Sequence, residues 1–490
     1  MLTKENKKTE QVIFFSMEDF VPQDHLLRKI DKAVDFNKLY EIVEELYCPN
    51  NGRPSIDPKI LFKMVLIQHL YGIRSLRRTH EEIKMNVAYR WFLGYSMNDT
   101  IPHFATVSYN FKHRFTEETV EKVFVWILSE IDKKGFLSPE VVFVDGTHIK
   151  ANANMKKSIK KEIPVAAKIY EKQLFKEINE DRVSHGKKEL KEKEDKESHK
   201  EITVSTTDPE SGVFHKGEHK KCFAYEAHTA CDKMGYVLGT YITPGNIHDS
   251  VAFDPLFEYI NEKFKTINAF VGDSAYKTTW ISKNLIDRDK VLISTYTSPK
   301  GNKEKGFRPK DFIYDEYYDC VICPENEILK YSTTTRDGYR EFKSNPQICR
   351  NCPNLKKCTK SKNNQKVVTK HIWADYIEKV EDYRHTPEYN EIYKKRKETI
   401  ERVFADAKEK YGMRYTTYRG LAQVTKWVKL KFACMNLKKL ALHIRKTACV
   451  YIKILVNSII LHKNKPCFAF ETGFIDSLNR EQSSLFNVVL

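Results

Sequence analysis

The chain has 490 residues, 41% hydrophobic, 12% aromatic and 30% charged, which excludes a disordered protein and allows two or three domains. Its 83 Lys and Arg against 66 Asp and Glu leave a formal net charge of +17, favouring a polyanionic partner, nucleic acid first. A membrane span needs roughly 20 mostly apolar residues, and the most apolar late run, 447-TACVYIKILVNSIILH-462, is short, interrupted by Lys453, and reads as a packed helix.

The polar opening MLTKENKKTEQ lacks the apolar stretch of a secretory leader. Without one, the eleven cysteines point to reduced thiols or metal and not to a disulfide framework. A cytosolic protein is expected.

Residues 24–135 read as helices. The run 57-DPKILFKMVLIQHLYG-72 opens with Asp57 as N-cap and Pro58 at the first helical position, and stops at Gly72. The run 75-SLRRTHEEIKMNVAYRWFLG-94 predicts a second helix, and a third is expected from Thr106, carrying Lys112, His113 and Arg114. Short helices with basic exposed positions suit a DNA-reading domain, and equally an ordinary bundle with a solvated basic face.

Beyond 136 the pattern changes. The stretch 141-VVFVDGTHIKAN-152 predicts a buried strand running into Asp145, after which the Lys/Glu-rich residues 156–221 read as an exposed helical insertion, a mobile arm or a disordered segment. A hairpin follows in 222-CFAYEAHTACDKMGYVLGTYITPG-245, then a helix from Asp249, a strand in 267-INAFVGDSAY-276, a helix, and the strand 291-VLISTY-296. Three antiparallel strands followed by crossover units predict a mixed α/β sheet. Two of its strands end on acids, Asp145 and Asp273, each of which alone reads as a turn residue.

A third acid comes from 398-ETIERVFADAKEKYG-412, where Ile400, Val403, Phe404 and Ala407 form a buried helical stripe. Glu401, Ala405 and Lys408 share the adjacent face. If Asp145, Asp273 and Glu401 converge, three like charges require a cation. Hard oxygen donors suit Mg²⁺ or Mn²⁺, and two such ions can drive phosphodiester chemistry. Lys408 can hold a phosphate as a point charge. His148, His228 and His248 lie on or beside the same strands and read as structural or surface histidines, with His248 able to line the site.

Between the second and third acids, Cys320-x2-Cys323 and Cys349-x2-Cys352, with Cys358 close behind, read as a zinc ribbon, five cysteines competing for four places.

The strand end VDGTHIKAN, the strand end VGDSAY and the helix IERVFADAKEKYGMRYTTYRG resemble the three acidic motifs of bacterial insertion-sequence DDE transposases, and DPKILFKMVLIQHLYGIRSLRR resembles the domain that precedes their core; the likeness spans about residues 15–445. It implies an α/β fold, with a ribonuclease-H-like mixed-sheet core over 136–445 that carries insertions at 156–221 (charged) and 315–360 (zinc ribbon). An all-α DNA-binding domain at 1–135 and a tail at 446–490 complete it.

The resemblance further implies metal-dependent cleavage and strand transfer at terminal inverted repeats. Asp145, Asp273 and Glu401 would hold two Mg²⁺ or Mn²⁺ ions, and Lys408 is the lysine seven positions after the acid. One structural Zn²⁺ would sit on four of Cys320, Cys323, Cys349, Cys352 and Cys358; similar ribbons often lack the first of the five, which makes Cys320 the spare. The implied partners are double-stranded DNA and, on DNA, further copies of the chain; the implied place is the bacterial nucleoid, not a membrane. Many relatives place Tyr and Arg seven and four positions before the Glu, where this chain has Lys394 and Lys397. Tyr393 and Arg396 lie one residue early, so Arg396 and Lys397 compete for the phosphate-binding role. A catalytically silent DNA-binding descendant and a nuclease without strand transfer are the alternatives.

Overall fold

A computed structural model describes residues 16–48, 50–52, 54–164, 170–192, 199–216, 220–296 and 306–463, the stretch from 446 as backbone alone. The chain divides into the compact units Met1–Leu440 and Ala441–Leu490. The described part of the second unit is helical, the end of the helix Leu421–Lys463, so the expected tail at 446–490 starts inside a helix. The packing expected for 447–462 and all of 464–490 lie outside what is described. Among the described residues no helix is long and apolar enough to cross a membrane.

In the first unit the N-terminal region is helical, as expected. Asp57 caps the helix Pro58–Leu70 by accepting from the Lys59 N–H, and every residue from Leu61 to Leu70 is buried. An all-round buried helix is the centre of a bundle. Its one buried lysine, Lys63, donates to Asp31 Oδ1 at 2.8 Å and to the Phe92 carbonyl at 2.9 Å.

The single helix expected over 75–94 is two, Leu76–Met85 and Val87–Leu93. Asn86 breaks it by turning extended and capping the second helix through the Tyr89 N–H, a role for which Asn is better suited than for a helix interior. The third helix starts earlier than expected, at Phe104, and widens into a π-turn over Asn110–Arg114, where the Asn110 amide bonds the Thr106 carbonyl. The last helix of this region, Glu117–Lys133, meets the core through Glu121, which pairs with Lys263 and, at 3.0 Å, with Lys429.

The core sheet is mixed. Strand Val141–Lys150 pairs antiparallel with Lys220–Cys231, which pairs antiparallel with Val237–Pro244. On its other side Val141–Lys150 pairs parallel with Ala269–Val271, and that strand pairs parallel with Val291–Ile293. This is the strand order of the expected ribonuclease-H-like core. Helix Asp249–Lys263 covers one face, where Phe253, Leu256, Phe257 and Ile260 pack on Val142, Val144, Ala230 and Leu238. Helix Ile400–Glu409 packs against the first strand and buries the four residues of its predicted stripe. The chain then returns beside the end of that strand, with the Lys150 N–H on the Arg414 carbonyl and the Thr416 N–H on the Lys150 carbonyl.

Both insertions are more ordered than the sequence suggests. Residues Ser158–Pro164 pair with His199–Ser205, and helix Glu171–Ser184 lies between them in sequence. The Cys-rich insertion is a five-stranded antiparallel sheet running from Ile313 to His371, beyond the expected end at 360 because its last strand, Val367–His371, pairs with Tyr339–Lys343. It also has a small core of Phe312, Val321, Leu329 and Phe342.

The two insertions dock on each other. Asp181, on the helix, is buried and accepts from Arg340 Nε at 2.7 Å and from the Thr334 hydroxyl, while Arg182 donates to Thr333 Oγ1 and the Thr334 carbonyl, both at 2.7 Å. Ile178 is fully buried beneath them. The helix is therefore a docked element and neither a free arm nor a disordered segment. Asp181→Ala strands the Arg340 guanidinium and should cost about 2 kcal/mol locally. Amide exchange over 328–343 should quicken by about thirtyfold; exchange that does not change would show that the ion pair does not hold the helix.

Candidate metal centre at the end of the central sheet

The parallel register pairs Val141 with Ala269 and Phe143 with Val271. Asp145 and Asp273 each stand two residues past that last pair, so they leave adjacent strands at the same level. Asp145 is still on its strand, opposite Thr229 of the hairpin. Asp273 sits in the turn that follows its own, where its Oδ1 accepts from the Ala275 N–H at 2.8 Å and its carbonyl accepts from Ser294 Oγ at 2.7 Å.

Burial sets the electrostatics. The Asp145 carboxyl is pushed up to about 6, chiefly because it is largely removed from water, with Arg396 pulling it back and Asp273 and Asp249 pushing further. Its Oδ1 accepts from the Gly146 N–H at 2.9 Å, and its Oδ2 forms an ion pair with Arg396 Nη2 at 2.7 Å. Arg396 is itself buried, and its Nε finds no hydrogen-bond partner. Burial opposes its charge, but Asp145, Tyr393 and Asp273 together raise its pKa above that of a free guanidinium.

Arg396 reaches Asp145 from the 3-10 turn Lys395–Lys397, which follows helix Pro387–Lys394. Thr399, at φ −106° and ψ −98°, separates that turn from helix Ile400–Glu409. Arg396 and Glu401 are therefore not on one continuous helix, and a spacing one residue longer than in many relatives does not rotate Arg396 away from the site. Lys397 is exposed on the same turn.

Glu401 is exposed in the first turn of the helix packed on the Asp145 strand, and among the described residues its carboxylate makes no ion pair. Lys408, two turns on, is half-buried and lies close enough to His148 to help hold that imidazole below its usual range. The structure thus brings Asp145, Asp273 and Arg396 together, and sets Glu401 and Lys408 on the helix alongside.

Three further groups adjoin the aspartates and were not singled out as ligands from the sequence. Asp249 opens its helix and accepts from Tyr276 OH at 3.3 Å, with His228 Nδ1 2.9 Å away. Glu226 is buried on the hairpin strand, and burial, then Asp249 and Asp145, push its carboxyl up to about 8. A glutamate at a buried position of the strand run CFAYEAHTAC was the available signal. His248 caps its helix, Nδ1 accepting from the Ser250 N–H, and is exposed.

The cysteines divide four and one. Cys323, Cys349, Cys352 and Cys358 line one small cavity with Leu329, Ile348 and Leu355. The Cys358 thiol is raised by burial, and the other three thiols push it the same way against Lys366. Cys320 is buried in its strand, opposite Lys330 and Asp315, and does not line the cavity. The four thiols do not close on one point: among the described residues, the metal-ligating set whose atoms all lie within 4.8 Å is Glu226, His228 and Asp249.

The Asp145–Arg396 pair can be tested in the metal-free protein. With 21% and 9% of the two side chains exposed, each loss leaves the other group largely buried. Arg396→Ala and Asp145→Asn should show a coupling of about 2 kcal/mol in a double-mutant cycle followed by thermal unfolding. Strictly additive effects would mean that the two groups do not stabilise each other.

Residues 15–113 match the model of a transposase domain, DUF772, and residues 322–441 match a transposase DDE domain. The second match takes in Arg396, Glu401, Lys408 and the four cavity cysteines but stops short of Cys320 and of both aspartates. No curated protein matches the chain. A similar solved structure is the cryo-EM structure of the piggyBac transposase synaptic complex with hairpin DNA (SNHP), at 10% identity and a TM-score of 0.34, covering 85% of this chain and 75% of that one. At that distance the likeness decides nothing. The chain thus carries a transposase domain before its mixed sheet and a transposase DDE domain after it.

Proposed function

We propose that the protein binds the terminal inverted repeats of an insertion sequence, cuts DNA there and joins the freed 3′ ends to a target. On this reading Asp145, Asp273 and Glu401 hold two Mg²⁺ or Mn²⁺ ions. The observation that carries it is the register: two aspartates at the same level on adjacent parallel strands, one already neutralised by a buried arginine. The donor set fits a hard cation. Asp145 is kept from full ionisation by burial, and Glu401, exposed on the helix packed against the Asp145 strand, makes no ion pair among the described residues. Such ions, when bound, lower the pKa of an attacking water or 3′-hydroxyl and stabilise the leaving oxygen.

The side chains divide the remaining work. Arg396 supplies the countercharge of Asp145 in the free protein. Lys397, exposed on the same turn, is the better placed of the two to meet a DNA phosphate, and Lys408 offers a second point charge on helix Ile400–Glu409. The helices of residues 1–135 provide end recognition, and the +17 charge a salt-sensitive hold on the backbone. Strand transfer brings two ends together and calls for more than one copy on DNA, at the bacterial nucleoid.

Asp145→Asn, Asp273→Asn and Glu401→Gln should each reduce Mg²⁺-dependent cleavage of element ends at least a thousandfold, a loss of about 4 kcal/mol in transition-state stabilisation, with end binding kept. Cleavage near the wild-type rate by any of them would remove that residue from the centre. Joined products from the wild-type protein separate a transposase from a plain nuclease.

For the ribbon we propose one structural Zn²⁺ on Cys323, Cys349, Cys352 and Cys358, the four that share a cavity, with Cys320 as the spare. Four sulfur ligands leave no position for water, so this metal stays out of the chemistry. Purified protein should contain about one zinc per chain. Cys349→Ser with Cys352→Ser should lose it and open residues 313–371 to proteases, whereas Cys320→Ser should keep it. Zinc loss from Cys320→Ser would reassign the site.

A further inference from the structure

Glu226 and His228 alternate along strand Lys220–Cys231 and so share one face, and Asp249 begins the helix that covers that face. One donor atom from each lies within 4.8 Å of the other two. The His228 ring is fully buried and held at both nitrogens, with Thr243 Oγ1 2.9 Å from Nε2 and Asp249 Oδ1 2.9 Å from Nδ1. When Nε2–H donates to the threonine, the Nδ1 lone pair faces the carboxylate, an arrangement that a cation between them stabilises. Two ligands at right angles, each about 2.1 Å from a metal, stand roughly 3 Å apart, close to the separation observed.

Glu226 supplies the second, independent observation. It is 5% exposed, and among the described residues the one ion-pair partner of its carboxylate is His148, with Nδ1 3.2 Å from Oε1. The ring of that histidine stacks on Phe214. One imidazole leaves a buried carboxylate with lone pairs that a proton or a cation can complete. Space for one exists at Gly146, the partner of His228 across the strands. A Cβ there would lie 2.4 Å from Asp249 Oδ1 and 2.7 Å from Glu226 Oε1, so the two carboxylates lean over a position that only glycine leaves open.

We propose that Glu226, His228 and Asp249 form a divalent-cation site separate from the aspartate pair, on the face of the first strand that Gly146 presents. Its mixed nitrogen and oxygen donors suit Mn²⁺ better than Mg²⁺, which favours oxygen alone. The site does not depend on the DNA chemistry proposed above, because its test reads metal and not cleavage.

The test is Mn²⁺ binding by the full chain, followed by electron paramagnetic resonance. A variant carrying Asp145→Asn, Asp273→Asn and Glu401→Gln should still bind about one Mn²⁺ per chain. Adding Glu226→Gln, which keeps the side chain's shape, should abolish that binding. In the wild-type chain saturated with Mn²⁺, pulsed measurements should show nitrogen hyperfine coupling from a ligating imidazole, and His228→Gln should lose it. No retained Mn²⁺ in the first variant, retention undiminished by Glu226→Gln, or absence of nitrogen coupling in the wild-type chain would each overturn the proposal. The last reading needs no substituted protein, so a variant that fails to fold does not shelter the idea.

Discussion

Carboxylates crowded at the end of a buried sheet are the constraint around which this fold is organised. Two like charges 4 Å apart repel by about 4 kcal/mol at an effective dielectric of 20. Asp145 is pushed the same way by Asp273 and Asp249 while losing much of its hydration. A purely structural sheet would place a small neutral residue there. Here the free protein sets a buried arginine against Asp145 and leaves one guanidinium nitrogen unsatisfied to do so. An arrangement this unfavourable is retained where a site needs charge at a fixed point.

The rest of the unit keeps that point fixed. The first strand is clamped on both sides, by the antiparallel hairpin and by the parallel strand that delivers Asp273. Helix Ile400–Glu409 is laid across it by four buried apolar residues, and the chain that follows is pinned to Lys150 by backbone bonds. Further along, Asn436 brackets Val237 of the hairpin, accepting from its N–H at 2.9 Å and donating to its carbonyl at 2.8 Å. The two insertions leave this framework and dock on each other through Asp181 and Arg340.

Much of the frame could be read from the residues. Apolar runs ending on Asp145 and Asp273 gave the strands, and the stripe Ile400, Val403, Phe404 and Ala407 gave the helix, because periodicity survives in a single sequence. The Glu226, His228 and Asp249 cluster was not legible. It needs the hairpin register and the helix start at once, and both are long-range facts. The extent of the ribbon was hidden for the same reason, since Val367–His371 pairs past the last cysteine. Asn86 misled differently: a capping residue inside a helical pattern looks like a weak helix former until the backbone turns there. In helix Glu171–Ser184 abundant charge implied solvation, yet part of that charge is consumed in docking.

The central claim is that a cation belongs where Arg396 now reaches Asp145. Anomalous diffraction from crystals of the full chain saturated with Mn²⁺ tests it most directly. The account predicts Mn²⁺ density between Asp145 and Asp273, with Arg396 Nη2 withdrawn from the 2.7 Å contact it makes in the free protein. An intact Asp145–Arg396 pair with no metal density beside either aspartate would contradict it.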